Sequence, residues 1–286
     1  MNKKLIAAIS LISAITMSSV HAKTPPSQAP TVILAYADIA DRALASDVVA
    51  VSTVTKATHL DQKRFSNVPS GAERVLLVGR ITTLIRGPEN QPQDIEFLAD
   101  IPMQGNGRLP KLKNRPFIIF GDRVNGAANQ LQLIDRHSLL LWSSELESRT
   151  RDILIAANAP GAAPRINRIG QIFSVAGSIA GENETQIFLE SYNGRPVSLS
   201  ILRRPGETPR WIVSLDEVVD EAAPFPARDS LTWYRLACTL PMDLPPQTID
   251  DLEAPAGQMA KEDYRLVMQQ LGTCQRTLPL LAASLR

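Results

Sequence analysis

The chain has 286 residues, of which 44% are hydrophobic and 21% charged, with 30 basic against 29 acidic side chains and a formal net charge of +1. A balance this close to neutral, with no clustered basic excess, argues against a nucleic-acid footprint. The length suits one large domain or two modest ones and is enough to bury a substantial core.

The chain opens on a positive segment, Asn2-Lys3-Lys4. An apolar run follows from Leu5 to about Met17, and then the small-residue end Ser18-Ser19-Val20-His21-Ala22. Residues 1–22 read as a cleaved secretory signal peptide, because the apolar run falls short of the ~20 residues of a bilayer span. An uncleaved anchor is the alternative. The first cysteine is Cys238, so no thiol lies near the cleavage point to carry a lipid. No later apolar stretch reaches membrane-spanning length, so a soluble, exported and most simply periplasmic protein is expected, without a transmembrane anchor after cleavage. Residues 23–30, Lys-Thr-Pro-Pro-Ser-Gln-Ala-Pro, form an extended tether.

Val32, Ile33, Tyr36, Ile39, Ala40, Ala43 and Leu44 recur at helical spacing and predict a first helix over 31–45. Five β-runs come next: Val48 to Thr58, Glu73 to Arg86, Ile95 to Ile101, Pro116 to Phe120 and Gln130 to Ile134. Gly79 inside the second run predicts a bulge or sharp bend. Asn125-Gly126 marks the turn before the fifth. A second helix is expected over 144–158, with Leu146, Thr150, Ile153, Leu154 and Ala157 on one face. Pro160-Gly161 and Pro164 end it. Four strands follow, at 169–175, 185–191, 196–203 and 210–215, joined by turns at Gly181-Glu182-Asn183, Asn193-Gly194 and Pro205-Gly206. The chain closes with helices over 227–240 and 258–271, the latter stopped by Gly272.

Five β-runs in a short stretch predict a closed or partly closed barrel. Over about residues 47–135 the order resembles the small OB-like barrels of some exported bacterial proteins, with a basic turn, Lys111-Leu112-Lys113-Asn114-Arg115-Pro116, leading into Phe117-Ile118-Ile119-Phe120. That resemblance implies a fold and not an activity. The whole chain resembles exported proteins of Gram-negative bacteria that join a signal peptide to mixed β/α domains, a group with no assigned activity. The expected architecture is α+β. A small N-terminal OB-like β-barrel with flanking helices occupies 31–142, a linking helix and boundary 143–164, and an antiparallel β-sheet with a C-terminal helical pair 165–286.

Chemical motifs are scarce. Gly-x-Ser-x-Gly, Ser-x-x-Lys, phosphate-loop and dinucleotide fingerprints are absent, and so is any His-x-His or His-Glu-x-x-His spacing. No cofactor and no metal are expected. His59 and His137 read as edge or surface residues rather than general bases. Cys238 and Cys274 are the only cysteines; in an oxidising compartment they read as one disulfide stapling the helical pair, a redox pair or metal ligands being the alternatives. Glu182, Glu184 and Glu190 flank one strand, and Asp216, Glu217, Asp220 and Glu221 follow another. They are solvated turns or, alternatively, paired carboxylates. Trp211, beside Arg210, is a core residue or an exposed grip for a sugar or peptide. The weak candidate positions are thus Glu182, Glu184, Asp216 and Trp211. The expected function is non-enzymatic binding of an envelope protein or polymer, without nucleic acid. The alternative is a periplasmic hydrolase of envelope polymer using paired carboxylates.

Overall fold

A computed structural model describes residues 34–215 and 225–278. The expected signal peptide and tether lie outside the described residues. The first helix, α1 (Tyr36–Ala45), leads into the strands β1 (Val48–His59), β2 (Ala72–Arg86), β3 (Asp94–Pro102), β4 (Pro116–Val124) and β5 (Ala127–Leu133). Strands β2 and β3 alternate buried and more exposed positions, as a sheet with one core face requires. In β3, for example, Ile95, Phe97, Ala99 and Ile101 are buried.

The strands meander β1-β2-β3, β3 pairs with β5 in parallel, β5 pairs with β4, and β4 returns to β1 over Val48–Thr53. The barrel is therefore closed by five strands in an OB-like order. Val48, Ala50, Val54, Leu77, Ile95, Phe97 and Ile119 fill its interior. Gly79 sits where the β1–β2 register slips between Val54 and Lys56, the irregularity its position predicts. A side chain at Gly79 would overlap the Oγ of Ser52, which lies buried inside the barrel. A short strand β6 (Leu139–Leu141) adds to β4. Three leucines in a row carry no alternation, so the sequence does not show this strand.

Helix α2 (Ser144–Asn158) begins at Ser143, whose side chain accepts the Leu146 N–H, a cap worth about 1 kcal/mol. Ile39, Ala40 and Ala43 of α1 and Leu146, Ile153 and Leu154 of α2 pack on the outward residues Val49, Val51, Ile118 and Phe120 of β1 and β4. This explains why those two strands read as continuous apolar runs: both of their faces are covered.

The second sheet is antiparallel, in the order β10-β9-β8-β7, from β7 (Ile166–Ala176), β8 (Asn183–Ser191), β9 (Val197–Arg203) and β10 (Arg210–Ser214). Its inner face, with Ile172, Ile187, Leu199, Ile201 and Trp211, packs on α3 (Leu231–Ala237) and α4 (Ala254–Leu271). Helix α3 is shorter than the sequence predicts. Asp229 takes a positive φ of 60°, and Ser230 caps the helix by accepting the Trp233 N–H. Helix α4 starts earlier than predicted, with Pro255 in its first turn, where a missing N–H costs nothing. Gly272, at φ 70°, ends it and donates its N–H to Met268 C=O. Cys238, at the end of α3, is disulfide-bonded to Cys274, just past α4, with Cα atoms 5.1 Å apart. Closing that loop contributes about 4 kcal/mol in the chain-entropy picture.

The two sheets belong to one compact unit, joined through α1. Asp38, Asp41 and Arg42 of this helix are all buried. Arg42 donates to the Asp135 carboxylate at 2.6 and 3.3 Å. Asp41 accepts the Tyr234 O–H at 2.7 Å and the Arg276 guanidinium at 2.8 and 3.2 Å. Asp38 accepts the N–H groups of Ala35, Thr277 and Leu278. One short helix thus holds the barrel's Asp135 turn, α3 and the segment after α4. No helix among the described residues is long and apolar enough to cross a membrane.

Candidate functional site

A concavity lies on the barrel, where β3 and β5 part. Those strands pair only at Glu96–Gln130 and Phe97–Leu131. Past that point they diverge, leaving a groove of 620 Å³ lined by the unbroken runs 96–100 and 130–136. A groove floored by one sheet face would show every second residue. Unbroken runs mean that the walls are strand edges.

The edge of β3 can be read from its bonds to β2. Ile81 donates its N–H to Gln93 C=O, and Met103 donates to Gly71 C=O, both at 2.8 Å. With the β2–β3 register, these bonds make the odd-numbered residues of β3 the ones bonded to β2. The even-numbered residues Glu96, Leu98 and Asp100 therefore turn their N–H and C=O groups toward the β5 side. β5 meets that edge at Glu96 and Phe97 and then leaves it. Among the described residues, no strand pairs with that side of β3 beyond Phe97.

The side chains around this edge are mixed. Leu98, 46% exposed, stands opposite Leu76 of β2, and both face the groove. Arg74 grips Asp100 with two bonds of 2.7 and 2.9 Å, reaches Asn67 at 2.8 Å and lies over the Phe65 ring. Glu96 lies at one end of the groove and Arg136 at the other. A second hollow of 500 Å³ shares Asp100 and Arg136 with the first and is lined further on by Arg115, His137 and β6. Burial, aided by the nearby Arg42 and Arg136 charges, pushes the His137 pKa down against the pull of Asp135 and Asp38.

The residues singled out in the sequence lie elsewhere. Glu182 is in the β7–β8 turn, and its carboxylate lies against Gly177. Glu184 projects from β8 and accepts from the Gln186 side chain at 2.9 Å. Asp216 lies outside the described residues. Trp211 is 5% exposed, donates its Nε1–H to Gln270 at 2.9 Å and stacks edge-on to Phe225, so its ring packs in the core. Glu190 is ion-paired with Arg168 at 2.7 Å. His59 lies 3.2 Å from Glu73 on the exposed barrel surface. Among the described residues, no group of three or more His, Cys, Asp or Glu side chains is placed to hold a metal ion.

Sequence reasoning missed the groove residues Arg74, Leu76, Leu98 and Arg136. A signal was present: Leu76 and Leu98 interrupt the apolar–polar alternation of their strands, placing apolar side chains at outward positions. No protein-family model matches this chain, and no curated protein matches it.

Proposed function

We propose that this chain is an exported, non-enzymatic protein of the cell envelope that acts by binding a partner in the groove between β3 and β5. The open β3 edge, flanked by the outward Leu76–Leu98 pair, carries the reading. Five-stranded barrels of this order bind ligands on the face of strands 2 and 3, and the groove abuts that face. The outward apolar side chains there are leucines, and Phe97 turns its ring into the barrel core, which leaves no aromatic platform for single-stranded nucleic acid to stack on. The N-terminal segment and the Cys238–Cys274 disulfide support export to an oxidising compartment, most simply the periplasm.

Site-specific photocrosslinking in a Gram-negative host tests this reading. A crosslinking amino acid at position 98 is expected to give a discrete adduct in the envelope fraction, while one at Ile155, exposed on α2, gives none. Equal labelling at both positions, or none at 98, would refute the groove as the binding site. Intact mass of the same preparation reports export: a chain starting at Lys23, with no thiol alkylated before reduction, is expected. A chain that keeps residues 1–22, or that alkylates without reductant, would count against export.

A further inference from the structure

We infer that the groove takes an extended acidic peptide segment, which adds as a strand to the open edge of β3. The inference rests on the binding reading above and gives it a chemistry.

The first ground is main-chain geometry. An open strand edge is a template for another extended chain, and proteins usually blunt such edges with charge, proline or a covering element. Here the edge ends at Pro102, yet its middle carries the outward apolar Leu98. Peptides captured by strand addition gain affinity from main-chain hydrogen bonds and specificity from pockets that take alternate side chains. The Leu76–Leu98 pair supplies such an apolar contact beside the edge. From Leu98 to Pro102 the strand rises about 13 Å, room for four or five peptide residues. The two hollows run along that stretch and meet at Asp100 and Arg136.

The second ground is charge. Asp100 is neutralised by the two-pronged contact with Arg74, and Asp135 by Arg42. Arg136 and Arg115 line the hollows with no ion pair to a described residue. Lys111 and Lys113 stand exposed on the turn that precedes Arg115. Glu96 is the remaining acid on the wall, at the far end of the groove from Arg136. The C-terminal end of β3 is therefore a cationic shelf beside an open edge. It complements a segment with apolar residues alternating with Asp or Glu, its acids placed toward Arg136 and Arg115.

The test uses the mature full-length protein and a fluorescein-labelled, C-terminally amidated peptide, Thr-Val-Glu-Val-Asp-Val. Two analogues accompany it, one with both acids replaced by lysine and one with alternate amides N-methylated. Fluorescence anisotropy should show the acidic peptide binding about tenfold or more tighter than either analogue, a gap of about 1.4 kcal/mol. Arg136→Glu combined with Arg115→Glu should reverse the preference between acidic and lysine peptides. Hydrogen exchange at the Asp100 amide should slow about tenfold or more when the acidic peptide is bound, since opening then requires loss of the added strand. Equal binding of the N-methylated analogue overturns strand addition, and equal binding of the lysine analogue overturns the charge argument. A dimer in sedimentation without peptide, with Asp100 already protected, shows the edge paired with a second copy and overturns the inference. Position-98 crosslinks without any peptide binding overturn strand addition while leaving the groove as the binding site.

Discussion

The contact between Ser52 and Gly79 inside the barrel allows a quantitative test of the packing described above. The Ser52 hydroxyl is buried without a hydrogen-bond partner, and the space beside it exists because residue 79 has no side chain. An unsatisfied buried hydroxyl costs about 1–3 kcal/mol. Ser52→Ala should therefore stabilise the fold by about 1 kcal/mol after the small void it leaves is allowed for. Gly79→Ala alone places a methyl group onto Ser52 Oγ and should cost about 1–3 kcal/mol, the usual penalty for overpacking. The double variant removes the clash. The added methyl group then takes the vacated space, with its nearest neighbours the residue-52 Cβ at 3.5 Å and Phe97 at 3.6 Å, both ordinary contacts. Gly79 does not occupy the left-handed region, so alanine's backbone is tolerated there. Reduced freedom of the unfolded chain contributes about 0.4–1 kcal/mol more. The double variant should thus exceed the parent by about 1.5 kcal/mol, and the coupling between the two sites should be about 2–3 kcal/mol. Urea denaturation of the four proteins, with the disulfide intact, measures the cycle. Additivity within about 0.5 kcal/mol would show that the two positions do not touch and would refute the reasoning.

Two further outcomes follow from the buried charges. Asp41→Ala strips the acceptor from Tyr234 and leaves Arg276 without its carboxylate, so stability should fall by about 3 kcal/mol; a loss under about 1 kcal/mol in the same denaturation assay would show that α1 does not join the two sheets through this residue. Burial disfavours the imidazolium and holds the folded His137 pKa below the ordinary histidine value. Between that folded value and about 6.5 the unfolded chain binds more protons, so stability should decline as pH falls through this window and level off below it. His137→Gln should remove this component, and an unchanged pH slope between the two proteins would contradict it.

Local structure was legible in the sequence where one short-range rule governs it. The helix over 144–158 has its serine cap and apolar face written into the chain, and it forms over those residues. Asn125-Gly126 and Asn193-Gly194 turn between strands with positive-φ glycines, and Gly272 ends the last helix. The five β-runs and the later four fall where alternation and β-branched residues place them, and the two cysteines find each other. Periodicity identifies a strand and which of its faces is buried.

Periodicity does not determine how far two strands stay paired or what covers an outward face. Leu76 and Leu98 look like surface exceptions in sequence. They line a groove only because β5 leaves β3 after Phe97, and that parting depends on how the barrel closes. Val49, Val51, Ile118 and Phe120 look like the interior of a sheet, yet they face outward beneath α1 and α2. Asp38, Asp41 and Arg42 look like the polar face of a first helix. They are buried because partners about 90 to 240 positions away fold onto them. Apart from β6, the strands and helices, their order and the disulfide follow from local pattern, since each rests on neighbours a few residues apart or on a single available partner. The open edge of β3, the cations around it and the charged core of α1 were decided only by tertiary structure, because each arises between segments that no local pattern relates.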